Sequence, residues 1–407
     1  MLRECLARLP MDSAAFWDTA KSACFGATSW AVVLSQFRVI EEVVVDGNGA
    51  PVLRVQRPRV PSSFAAVRDR SNAAADSVYL RFGDPDCLLL SASTSAVMQV
   101  PTQHLQAVAV AIQGVESTDP VVSIVRDLLR DNGFFSNGAG TTASGWSFPD
   151  RLFHAVATYG HGYEGGYGAT WAGLRAETPA ASAPSSARGD VGVRIGLPLD
   201  DSPLLGADLG AVLAARRSCR SYAERDLSPA DLAPLLQRSL RTQRMWMSKE
   251  GLSVAFHPYP SGGACDEITT LVALRGTAAA PHTPVLATYS NHTNDLNVVP
   301  ESTELAMLIL RRFGAAGEVK GLPAAALVFV ADYGRVALKY EAIAYATILR
   351  NVGAIYQTLY LVAQAIGLGA CAVGGGWGDV ERAIQGAGWP SRVVVGGMLV
   401  GWPRGGG

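Results

Sequence analysis

The sequence predicts an α+β protein in two folded parts, and three observations carry that reading. The stretch Pro179-Ala180-Ala181-Ser182-Ala183-Pro184-Ser185-Ser186-Ala187 has no large apolar residue to bury, so it reads as a flexible linker. Before it, two short apolar runs around a turn precede two helical patterns. After it come a well-signalled helix start, three strand candidates and one long helical seam. At 407 residues, two domains are also the expectation from length. The predicted boundaries are an N-terminal region over 1–135, loop and linker over 136–192, and a larger domain over 193–407.

In the first part, Ser77-Val78-Tyr79-Leu80-Arg81-Phe82 and Cys87-Leu88-Leu89-Leu90 flank Gly83-Asp84-Pro85-Asp86, a β-hairpin signal. Residues 105–112 read as helix. Val121, Ile124, Val125, Leu128 and Leu129 then recur at helical spacing and stop at Asn132-Gly133. A hairpin with two helices is a small α+β arrangement of winged-helix type. Its lack of a basic face suits peptide or protein docking, or a structural cap, better than DNA reading. The Gly/Ser/Thr-rich stretch 136–145 reads as a loop.

In the second part, Ser228 is a good N-cap, Pro229 fits the first turn, and Asp231 complements the helix dipole. Leu232, Leu235, Leu236 and Leu240 line one face of that helix. Strands are expected over 271–274, 326–331 and 393–400. The strongest helix is expected over 340–366, where Ile348, Val352, Ile355, Leu359, Val362 and Ile366 recur in four- and three-residue steps. Such a seam belongs in a core or a subunit interface, and Gly367-Leu368-Gly369 ends it.

Composition removes several function classes. Lysines and arginines number 34 against 35 acids, so the balance gives no argument for a nucleic-acid partner. No apolar stretch has the length of a membrane span. The six cysteines are scattered without CxxC or paired spacing, so neither a disulfide framework nor a metal site is expected. The opening Met1-Leu2-Arg3-Glu4-Cys5 leads into no apolar run, and a reducing cytoplasm is the expected location.

Four features of the second part suggest chemistry. Arg216-Arg217-Ser218-Cys219-Arg220-Ser221 packs three guanidinium forks and two hydroxyls into six residues, which suits a phosphate as well as a solvated basic surface. Tyr259-Pro260-Ser261-Gly262-Gly263-Ala264 is a turn whose small residues let backbone approach a flat ligand, and it also reads as an ordinary turn. Gly374-Gly375-Gly376 leaves backbone amides available to an anion or an electron-rich ring edge. The fourth feature is Arg404, in Gly401-Trp402-Pro403-Arg404.

These landmarks stand in the order RRSCRSY, LSPADLAPLL, PSGGA, KYEAIAY with a long helix, GLGACAVGGG and GGMLVGWPR. Over roughly residues 210–407 that order resembles the nitroreductase-like flavoproteins, and among them the SagB-type peptide dehydrogenases, which oxidise azoline rings in ribosomal peptides. The resemblance implies an antiparallel-rich central sheet flanked by helices, and a domain-swapped type of homodimer with FMN at its interface. It implies that Arg216, Arg217, Ser218 and Arg220 hold the phosphate and ribityl side of FMN, with Arg404 joining at the phosphate. Pro260, Ser261 and Gly262 would lie along the isoalloxazine, and Gly374 and Gly375 would face the ring or phosphate from a backbone turn. The Lys339-Tyr340 pair would support proton removal beside the flavin, because oxidising an azoline removes a proton as well as a hydride. The region before the linker resembles the leader-recognition module often fused ahead of such enzymes. A heterocyclised precursor peptide and a cyclodehydratase are then the implied partners.

The chain departs from that pattern twice. Cys265-Asp266-Glu267 follows the turn where relatives carry an apolar-aromatic continuation, and His257 stands where an arginine is common. The expected reaction is thiazoline or oxazoline oxidation. Reduction of small molecules or dehydroamino acids by NAD(P)H, and a non-catalytic scaffold for a cyclodehydratase, are the other readings.

Overall fold

The computed structural model describes residues 42–45, 51–56, 78–82, 86–91, 97–132, 134–135, 148–159, 169–171, 174, 193–199, 207–277, 281–375, 377–385 and 392–404, with backbone alone for 42–45, 51–56, 148, 151, 155, 159 and 385. The linker 179–187, the loop 136–145, the hairpin turn 83–85, Gly133 and Gly376 lie outside the described residues. The chain divides into two compact units, 1–167 and 168–407.

The first unit is a small α+β piece. Strands β1 (Glu42–Val45), β2 (Pro51–Gln56), β3 (Val78–Arg81), β4 (Asp86–Ser91) and β5 (Val97–Pro101) form an antiparallel sheet in the order β1-β2-β5-β4-β3. The expected hairpin is β3–β4, with Val78 opposite Ser91. Helix α1 (Leu105–Ile112) and helix α2 (Pro120–Asp131) are the two expected helices, and α3 (Phe148–Tyr159) follows. Asp119 caps α2 by accepting from the Val121 amide at 2.8 Å. Leu89, Met98, Val100, Ala111, Val125, Leu129 and Phe134 close a core between sheet and helices. The sheet is larger than the sequence suggested: β1, β2 and β5 were not anticipated.

The second unit is built on a seven-stranded antiparallel sheet. It comprises β6 (Arg194–Gly196), β9 (Ile268–Leu274), β10 (Val285–Ser290), β11 (Asp295–Val298), β12 (Ala325–Asp332), β13 (Gly369–Val373) and β14 (Arg392–Gly401), in the order β13-β14-β12-β9-β10-β11-β6. A separate hairpin pairs β7 (Arg244–Met247) with β8 (Ser253–Phe256). All eight residues of β12 are buried, as a central strand covered on both faces requires. The helices are α4 (Leu209–Ala215), α5 (Pro229–Leu240), α6 (Thr303–Ala316), α7 (Tyr333–Ala337), α8 (Ala344–Ala365) and α9 (Gly378–Gln385).

Local chemistry explains the helices that frame the site. At α5, Ser228 and Asp231 form a reciprocal capping box, and Leu232, Leu235, Leu236 and Leu240 turn into the core. Each such leucine contributes about 2 kcal/mol by leaving water. Helix α8 buries Ile348, Val352, Ile355, Leu359 and Val362 along one stripe. It stops in a Schellman turn: Gly367 adopts φ 76°, and the Leu368 amide donates to Ala363 O at 2.9 Å. No helix among the described residues is long and apolar enough to cross a membrane.

Candidate active site

The site grows from the turn after β8 and from the buried side of α8. Gly262, Gly263 and Ala264 form a single 3-10 turn, and Gly263 has φ 85°. A side chain at Gly263 would stand 2.7 Å from Tyr340 Cε2, so this glycine is required both by its backbone and by the ring against it. At Gly262 an added Cβ would meet Thr347 Cγ2 of α8 at 2.8 Å. The Gly262 amide donates to Asn351 Oδ1 at 2.8 Å, and Asn351 Nδ2 donates to Glu267 Oε1 at 2.7 Å. Pro260 and Gly262 remain exposed, presenting one side of the turn outward.

Lys339 and Tyr340 follow α7 and come to this same turn. Lys339 Nζ donates to Gly263 O at 3.1 Å, and it lies 4.9 Å from the Trp171 ring centroid and 5.7 Å from that of Tyr340. Every one of these contacts suits an ammonium group. Burial, with Cys265 and Glu267 adding to it, raises the Tyr340 phenol pKa above its ordinary value. The phenol therefore keeps its proton at neutral pH.

The residues between turn and sheet are titratable and tightly paired. Asp266 accepts from His257 Nε2 at 3.1 Å, Asn291 Nδ2 at 3.0 Å and His292 Nε2 at 3.1 Å. These bonds hold its carboxyl well below the usual range despite burial. His257 Nδ1 faces Leu240 O, and the ring stacks on Tyr259 with centroids 4.9 Å apart. The two departures noted in the sequence are thus partners: His257 and Asp266 tie together the base of the loop that carries the Pro260–Gly263 turn. Burial raises Glu267, and it pushes the Cys265 thiol up to about 12, which removes Cys265 as a nucleophile.

The arginine-serine cluster sits at the other end of α8. Ser218 bridges in parallel to Ala370 of β13, and its hydroxyl lies 2.9 Å from the Tyr360 hydroxyl. Tyr360 also accepts from the Ala372 amide at 2.7 Å, and its ring lies under the Arg216 guanidinium at 5.1 Å. Arg217 turns back, donating to Ala214 O and Arg216 O at 2.7 and 2.9 Å, and so caps the end of α4. Arg220 is exposed. Tyr222 bridges to Pro403, and the Arg404 amide donates to Ser221 O at 3.0 Å, which carries the tail arginine to the cluster. The Arg404 side chain is exposed, with Glu224 at 3.8 Å. Gly374 and Gly375 follow β13, exposed, with open space where a side chain would be.

The structure thus gathers two groups. Lys339 and Tyr340 join the Pro260-Ser261-Gly262 turn, while Arg216, Ser218 and Arg220 join Arg404. Sequence reasoning missed Asn351, Tyr360 and Trp171. Asn351 had a readable signal, being an amide in an otherwise apolar helical seam; Trp171 had none, since it stands within the stretch read as loop and linker.

Residues 213–402 match the family model described as Nitroreductase family. The second unit has a nitroreductase-like fold. Among solved structures, the chain is similar to one assigned as a nitroreductase from Ralstonia eutropha, at 22% identity over 56% of this chain and 97% of that chain, with TM-score 0.42. It is similar to the E. coli microcin synthetase McbBCD complex with truncated pro-MccB17 bound, at 19% identity over 57% and 86% of the two chains, with TM-score 0.38. It is also similar to a nitroreductase with bound FMN from Bacteroides fragilis, at 14% identity over 49% and 90%, with TM-score 0.30. No curated protein sequence matches it.

Proposed function

We propose that this chain is an FMN-dependent oxidoreductase that oxidises a thiazoline or oxazoline ring of a ribosomally made peptide to the aromatic azole. The nitroreductase-family match over 213–402 supports a flavoprotein oxidoreductase. The observation that carries the finer reading is the contact of Lys339 and Tyr340 with Gly263, in the turn suited to a flat ring.

The residues present fit FMN. Arg216, Ser218, Arg220 and Arg404 offer an anion grip whose outer two guanidinium groups are exposed, and Gly374 and Gly375 leave open backbone past the end of the strand that Ser218 bridges. Pro260, Ser261 and Gly262 offer a ring-facing turn. When bound, FMN supplies a two-electron acceptor for the hydride. Lys339 is placed to take the accompanying proton when its amine is free of the Gly263 carbonyl and has released its own proton to solvent water. Tyr340, which keeps its phenolic proton, would serve as a donor to the bound ring.

The phase of α8 supports a homodimer. Asn351, beside the turn, and Tyr360, beside the arginines, are nine residues apart. That is about 14 Å along the axis and half a turn out of phase, so one protomer presents the two groups on opposite sides of the helix. The exposed side of the α4–α8 pair carries Leu209, Leu213, Tyr345 and Leu349, at 63, 49, 40 and 38% exposure. Pairing two such faces lets the anion grip of one protomer meet the turn of the other. The precursor peptide and a cyclodehydratase are the proposed partners of the first unit.

An absorption spectrum of the purified chain, then mass spectrometry on a cyclodehydrated peptide, tests this. A yellow protein and a loss of two hydrogens per ring are expected. Flavin bleaching by NAD(P)H without peptide turnover would establish the small-molecule reductase instead, and a colourless protein that still assists a cyclodehydratase would establish the scaffold.

A further inference from the structure

The geometry points to Trp171 as a positioning residue of the Lys339–Tyr340 site, its indole face restraining the Lys339 ammonium against the Gly263 carbonyl. Trp171 lies outside the family-matched segment 213–402. Four features tie it to the site. Ala169 pairs antiparallel with Tyr340, the Trp171 amide donates to Lys339 O at 3.1 Å, and the Lys339 Nζ stands 4.9 Å from the indole centroid. Trp171 also has φ 56°, a left-handed conformation that a bulky residue adopts only where its surroundings impose it. Strain at a residue whose backbone and ring both engage Lys339 marks this short strap as part of the site.

The consequence is chemical. Bonded to the Gly263 carbonyl and in contact with the indole face, the Lys339 side chain is held as a donor until something displaces it. This inference rests on reading Lys339 as the reacting amine, and its test needs no turnover. The chain has only four lysines, Lys21, Lys249, Lys320 and Lys339, so acylation of each can be followed separately by mass spectrometry.

In the full chain as purified, an amine-selective acylating reagent reacts only with free amine. Trp171→Leu is expected to speed Lys339 acylation about fivefold relative to Lys249 and Lys320. Trp171→Phe, which keeps an aromatic face, is expected to stay within about twofold of wild type. Equal rates in wild type and Trp171→Leu would overturn the assignment. So would equal acceleration by Leu and Phe, since the indole would then only shield the amine. A chain that shows this labelling pattern but forms no azole keeps Trp171 in its role and loses the proposed substrate.

Discussion

The Asn351 side chain accepts from the Gly262 amide at 2.8 Å, so a residue on the buried stripe of α8 fixes the backbone of the candidate ring-binding turn. The same carboxamide donates to Glu267 at 2.7 Å, which ties the turn to the entry of β9 as well.

Asn351→Ala leaves a backbone donor and a buried carboxyl without their partner. A loss of about 3 kcal/mol is expected, which lowers Tm by about 9 °C for a unit of this size. Thermal unfolding checks this, and a change below about 1 kcal/mol would show that water replaces the carboxamide.

The two neighbouring carboxyls predict opposite slopes of stability with pH. The Asp266 carboxyl is depressed in the fold, so its stabilisation is present above about pH 4, the unfolded value, and is lost as pH falls below it. Glu267 is raised, so its contribution is favourable at low pH and fades as pH rises through about 4.3 and beyond. Denaturant titrations from pH 2 to 8 should therefore show a flattened acid limb in Asp266→Asn. Glu267→Gln, which keeps an acceptor for Asn351, should be at least as stable as wild type at pH 7.

Gly263→Ala forces a left-handed backbone onto a residue with a side chain and drives a Cβ into the Tyr340 ring. A destabilisation of about 1–3 kcal/mol is expected, with azole formation per bound flavin falling at least tenfold because Tyr340 must move. Unchanged turnover per flavin would remove Tyr340 from the reaction.

The arginines are not equivalent. Arg220→Ala and Arg404→Ala should each weaken FMN binding by about tenfold to a hundredfold, the worth of a charge-assisted hydrogen bond. Arg217→Ala, which loses a helix cap, should weaken it far less. Equilibrium flavin titration separates them, and equal losses at all three positions would contradict the orientation of Arg217.

Leu213→Glu combined with Leu349→Glu places charge on the exposed α4–α8 face. Light scattering should report a monomer, and FMN should be lost with the dimer. A monomeric variant that keeps its flavin would show that one protomer holds the whole site.

Part of the second unit was legible in the sequence, where elements announce themselves locally; the strands over 194–196, 244–247, 253–256, 285–290, 295–298 and 369–373 and the helices over 209–215, 303–316 and 378–385 were not anticipated. Ser228 and Asp231 form the box their spacing suggested, and the seam from Ile348 to Val362 is the buried stripe of α8. The Arg216–Arg220 and Pro260–Gly262 motifs could be found as motifs, yet their separation by half a turn of α8 depends on phase across a helix that neither motif contains. The Asp266–His257 pair was visible only as two departures from a family pattern, because the eight residues between them must close into a loop before they meet. Strands β1, β2 and β5 escaped notice for a related reason. Sheet pairing is settled by distant partners, and short runs such as Glu42–Val45 carry little signal of their own.

The span from Asn351 to Tyr360 carries a constraint of length rather than of composition. Each inserted or deleted residue would rotate one end against the other by about 100° and shift it by about 1.5 Å. The count between those two side chains is fixed, since one miscounted residue would withdraw Asn351 from Gly262 or Tyr360 from Ser218.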